Sequence, residues 1–95
     1  MTALDSNNRT TGAIEEWFKA YVAKLVGVSA GDVDGTADFD SFGIDSMQGV
    51  DMVTALEAWL GLSQDLPLEY VFEASSISEA AQRISQALTD GSIPS

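Results

Sequence analysis

Apolar residues recur at helical spacing along most of this chain, interrupted by a few stretches of turn-forming residues. Ile14, Trp17, Phe18, Tyr21 and Leu25 share one face of a helix predicted over residues 13–26. Glu15 and Glu16 read as its first turn and Lys24 as its last, the order that suits the helix dipole, and Gly27 stops it. Residues 28–43 follow as a long loop rich in aspartate and glycine, anchored through Phe39 and Phe42. A second helix opens at Asp45, where Asp45 and Gln48 stand at the N-cap and N3 spacing of a capping box, and runs to Leu60 before Gly61. A short third helix is predicted over residues 68–72, introduced by Asp65-Leu66-Pro67. Ser76 and Glu79 form another capping-box pair, and the fourth helix carries Ile77, Ala80, Ala81, Ile84 and Leu88 on one stripe. The expected architecture is all-α: a small four-helix bundle with a long first loop and a short third helix. Residues 12–89 are the expected domain, with residues 1–11 and 90–95 as flexible tails.

The second helix is two-faced. At 100° per residue, Met52, Val53, Leu56, Trp59 and Leu60 gather on one side with Gly49, which is enough apolar surface to bury. Met47, Val50, Asp51, Thr54, Glu57 and Ala58 occupy the other side. Two apolar residues thus stand among acids within about a turn of Ser46, the pattern of a docking face rather than of a plain solvated one. Trp17, Phe18, Phe39, Trp59 and Phe72 are expected in the core.

Charge narrows the partners. The 95 residues carry 15 acids against 4 bases and a formal net charge of −11. Nothing in such a chain could neutralise phosphates, so nucleic acid is excluded as a partner, and an anionic membrane surface is disfavoured for the same reason. Proteins with basic patches are the expected partners. No cysteine is present, so the polypeptide has neither disulfides nor thiol chemistry of its own. No apolar run is long enough to span a bilayer, and a cytoplasmic location is the expectation.

The candidate chemistry centres on Ser46, directly after Asp45 at the mouth of the second helix. Serine catalysis needs a base, yet the chain has no histidine, and its two lysines, Lys19 and Lys24, belong to the first helix. Gly43-Ile44-Asp45-Ser46 also lacks the G-x-S-x-G spacing of a nucleophile elbow. No catalytic residue is therefore assigned. A helix N-terminus favours a phosphate ester, so Ser46 reads as a residue that another enzyme modifies. Asp45 would crowd that phosphate, which suggests that it serves the modifying enzyme; a simple cap beside an ordinary serine is the alternative. Residues 32–43 invite a calcium-loop reading, but Ala37 stands where the loop glycine belongs and Gly43 where the bidentate glutamate belongs. No metal site is expected.

Phe42-Gly43-Ile44-Asp45-Ser46-Met47 resembles the G-x-D-S-[LM] attachment motif of acyl carrier proteins, in the phosphopantetheine-dependent carrier family. Val50-Asp51-Met52 is similar to the apolar–acidic–apolar triplet that follows the motif, and residues 67–72 with Ile77 and its alanines resemble the family's third and fourth helices. The likeness covers residues 14–88. It implies a non-catalytic carrier whose Ser46 receives 4′-phosphopantetheine from coenzyme A, through a magnesium-dependent phosphopantetheinyl transferase. The thiol of that arm would hold acyl groups as thioesters, which accounts for a carrier without cysteine. The resemblance implies recognition by partners through Asp45, Met47, Val50, Asp51 and Glu57, while Gln48 and Thr54 depart from the residues common there. The implied partners are the transferase, an acyl-adenylate ligase or acyltransferase, and a ketosynthase or other acyl-processing enzymes. Asp45 fits fatty-acid and polyketide carriers better than peptidyl carriers, and residues 56–61 are similar to carriers loaded by acyl-adenylate ligases. The expectation is a monomeric carrier, discrete or a domain excised from a longer protein, in polyketide or mixed polyketide–peptide biosynthesis. The alternatives are a peptidyl or aminoacyl carrier and an unmodified acidic helical interaction module.

Overall fold

A computed structural model describes residues 10–62 and 66–92. Most of the expected tails, and Asp65 in the turn before the third helix, lie outside the described residues. The described residues form four α-helices: α1 (Thr11–Val26), α2 (Ser46–Leu60), α3 (Glu69–Phe72) and α4 (Ile77–Asp90). Among the described residues there is no strand, and no helix is long and apolar enough to cross a membrane. The expected all-α architecture with a long first connection and a short third helix is the one observed.

α1 opens two residues before its predicted start because the Thr10 hydroxyl accepts a hydrogen bond from the Ala13 amide at 3.1 Å. Glu15 and Glu16 consequently leave the first turn, and their charges meet Lys19 at 3.4 and 3.8 Å instead. Gly27, at φ 80°, closes the helix in the left-handed conformation, its amide bonded to the Ala23 carbonyl. The buried face of α1 is Ile14, Phe18, Val22 and Ala23. Leu25, assigned to that face by its spacing, is 40% exposed. Val26 and Val28 beside it are exposed as well.

α1 packs chiefly on α4, whose stripe of Ile77, Ala80, Ala81, Ile84 and Leu88 is buried as expected. α2 buries Gly49, Met52, Val53, Leu56 and Leu60. Phe18 meets Phe39 edge-on, with ring centroids 5.3 Å apart. Trp17 and Trp59, expected in the core, are half-buried at its edge, where they stack 5.9 Å apart with Tyr21 beyond. Phe72, also expected inside, stays largely exposed.

The long connection contains two 3-10 turns that periodicity could not show, Ala30–Asp32 and Phe39–Phe42. Local side chains build the second: Asp38 accepts from the Ser41 hydroxyl at 2.7 Å and its amide at 2.9 Å, which holds the Asp38 carboxyl below its ordinary value. Asp34 does the same with the Thr36 amide and hydroxyl. These carboxylates serve their own turns, as suits a structural loop.

The connection also caps α4. The carbonyls of Ala37 and Gly35 accept from the Ile77 and Ser78 amides at 3.0 and 2.8 Å, and Ser76 Oγ accepts from the Glu79 amide at 3.0 Å. The first three amides of α4 are thus satisfied. The reciprocal half of the predicted box does not form. The Glu79 carboxylate reaches one residue further, to the amide and hydroxyl of Ser75, and holds Arg83 at 2.8 Å. Gly35 is buried where this loop crosses α1; a β-carbon there would collide with the Glu15 carboxylate and the Ser78 hydroxyl, which bond each other at 3.0 Å.

Candidate functional site

The start of α2 is fixed from both sides. Gly43, at φ 75°, ends the preceding 3-10 turn in a conformation that costs glycine little, and Ile44 then anchors the chain in the core. Asp45 follows as the N-cap. Its carboxylate accepts from the Gln48 amide at 2.9 Å, while Gln48 Oε1 accepts from the Asp45 amide at 3.3 Å. The capping box read from the sequence is complete.

This cap presents Ser46 as the first residue of a 15-residue helix, exposed, with no hydrogen bond to its hydroxyl among the described residues. The cap uses the amide of Gln48; the amides of Ser46 and Met47 have no protein acceptor among the described residues. They lie at the positive end of the helix dipole, an environment suited to an anion. No histidine exists to act as a base, and α2 and α3 carry no lysine or arginine. The hydroxyl is accessible to an external enzyme and has no catalytic partner among the described residues.

Around Ser46 the structure gathers four of the five residues expected to meet partners. Met47 is 76% exposed and Val50 42%, and Asp45 and Asp51 are exposed beside them. Glu57 differs. It is half-buried, and its Oε2 accepts from the Leu66 amide at 2.6 Å, so its carboxylate is committed to the chain that returns toward α3. Gln48, whose position departs from the family pattern, is likewise spent inside the cap.

Two residues that sequence reasoning did not place here belong to α3 and its cap: Leu68 and Phe72, both exposed. Leu68 shares with Val50, Val53, Thr54, Glu57 and Leu66 a surface groove of about 230 Å³. Phe72 lies against Gly49, where its ring occupies the space that a β-carbon would take. The sequence held a signal for a close approach at Gly49, though not for which residue makes it. A glycine inside a helix that does not need a positive φ marks a close approach by something else.

A free, exposed hydroxyl with unpaired amides beside it fits a phosphodiester. Residues 16–84 match the model of the family described as "phosphopantetheine attachment site". The chain is also 32% identical over 89 residues to the highly reducing polyketide synthase Preu1 of Preussia isomera. That alignment covers 92% of this chain and 4% of the relative, so the chain corresponds to a small part of that protein. With most of its length matched, and folded as a helical bundle, the chain belongs to the phosphopantetheine-attachment family of non-catalytic carriers, whose members hold 4′-phosphopantetheine covalently.

Proposed function

We propose that Ser46 is the attachment residue and that the loaded protein carries acyl groups in polyketide or mixed polyketide–peptide biosynthesis, in the cytoplasm. The observation that carries this reading is the state of the serines within the matched segment. Ser41, Ser75, Ser76 and Ser78 are hydrogen-bonded to their neighbours. Of the described serines left without such a bond, Ser29 stands before a three-residue turn, and only Ser46 opens a full helix. Similarity to a polyketide synthase favours polyketide over peptidyl cargo.

The residues divide the work. Ser46 Oγ would form the ester, and the Ser46 and Met47 amides with the helix dipole would stabilise its negative charge. Once attached, the group supplies the thiol that forms thioesters. Asp45 holds the helix start in place and faces the transferase. Met47, Val50 and Asp51 offer apolar anchors beside negative charge to partners bearing basic residues. Tethering then raises the effective concentration of the cargo at each partner.

Intact-mass spectrometry after incubation with coenzyme A, magnesium and a broad-specificity transferase tests the assignment. The wild-type protein gains one phosphopantetheine and Ser46→Ala gains none. An unchanged wild-type mass, or an adduct that persists in Ser46→Ala, overturns it. Offering fatty-acyl and aminoacyl adenylates to the loaded protein, each with its activating enzyme, tests the cargo class; loading by the aminoacyl enzyme alone would overturn the polyketide reading.

A further inference from the structure

We propose that Phe72 is a built-in plug. Its own ring fills the notch at Gly49, and so keeps an acyl group tethered to Ser46 outside the bundle. The inference rests on Ser46 being the attachment residue. Gly49 follows Ser46 by three residues, on the adjacent face and about 4.5 Å along the helix axis. It is buried, and a β-carbon there would overlap the Phe72 ring. A glycine inside a helix is destabilising relative to alanine, and Gly49 has no positive φ to justify it. The close approach of Phe72 is what the glycine permits.

The ring sits over the buried backbone of α2 at Gly49. Phe72 also lines, with Phe39, Ile44 and Val71, a surface cleft of only about 60 Å³. Ligand pockets commonly measure about 300–1,000 Å³. Asp38 and Asp40, both exposed, also line this cleft, and their charge opposes the passage of an alkyl chain. Deeper still, Ile14, Phe18, Met52, Leu56 and Ile84 are fully buried in one continuous core. An acyl chain entering here would have to expel Phe72 and then force this core apart, and overpacking a filled core is unfavourable. The physical consequence is that neither short nor long apolar cargo enters the core past Gly49, and the groove beside Val50 lies on the surface.

The plug has a specific test. Wild-type protein, Phe72→Ala and Phe72→Leu are loaded at Ser46 from acetyl- and octanoyl-coenzyme A, and loading is checked by intact mass. The methyl resonances of Ile44 and Val71 and the rate of thioester cleavage by hydroxylamine are then measured. In the wild type, acetyl and octanoyl forms should share the same methyl shifts and the same cleavage rate. In Phe72→Ala the vacated notch admits the longer chain. Octanoyl loading should then shift both methyls and slow cleavage by about tenfold, the ratio that burial of about two methylenes supports. Should Phe72→Ala lose its cooperative melt, Phe72→Leu replaces it, with a smaller effect of the same sign. Methyl shifts or protection specific to octanoyl in the wild type would overturn the proposal, as would their absence in a folded plug variant. Failure to load at all defeats the attachment reading instead, so the two failures are distinguishable.

Discussion

Glu57 offers the sharpest separation between a docking charge and a structural one. Its Oε2 accepts from the Leu66 amide at 2.6 Å, and Leu66 is only 2% exposed. Replacing Glu57 with alanine leaves that amide without its carboxylate acceptor, with only water of the groove that Glu57 and Leu66 line to replace it. A hydrogen bond to a charged group contributes about 1.5–3 kcal/mol, and the half-buried position of Glu57 sets the expectation at the lower end, about 1–2 kcal/mol. For a domain of this size each kcal/mol moves the melting temperature by about 4–8 °C, so Glu57→Ala should melt about 4–16 °C below the wild type. Glu57→Gln retains an acceptor oxygen and should recover most of the loss. Both variants remove the same negative charge, so their difference isolates the hydrogen bond from the relief of repulsion in an acidic protein. Thermal melts followed by circular dichroism at neutral pH measure it. Equal melting temperatures for Glu57→Ala and Glu57→Gln would refute the reasoning, because electrostatics alone would then account for the change.

Other expectations follow from the same contacts. Gly35→Ala should lower stability by about 1–2 kcal/mol, read as a lower urea midpoint, because its β-carbon displaces the Glu15–Ser78 bond that joins α1 to α4; an unchanged midpoint would contradict the collision seen there. The Asp38 carboxyl is held low by the Ser41 hydroxyl and amide, so its stabilisation is fully present above the ordinary carboxylate value of about 4 and disappears as pH falls through its depressed folded value. The stability gap between wild type and Asp38→Asn should therefore be constant from pH 7 to about 5 and narrow below about 4, and a gap that widens on acidification would reverse the sign assigned here. A net charge of −11 on a small bundle should make added salt or divalent cations raise the melting temperature, and a salt-independent melt would count against self-repulsion.

What could be read from the sequence was whatever depends on neighbours in the chain. Helical period placed the buried stripes of α2 and α4, and cap chemistry over three residues placed Asp45, Gln48 and the exposed Ser46 at the head of α2. Those interactions close within one turn, so nothing distant can easily override them. The outcomes decided by tertiary structure each required a second surface. Leu25 has the right spacing for the core, yet the packing of the described residues leaves it 40% exposed. Glu57 looked like a free acid on the outer face until the chain returned Leu66 to it. Phe72 looked like a core aromatic until Gly49 gave its ring a seat on the surface, one turn from Ser46. Periodicity reports which way a side chain points along its own helix. Whether another element is there to meet it depends on how the elements pack, which no local pattern encodes.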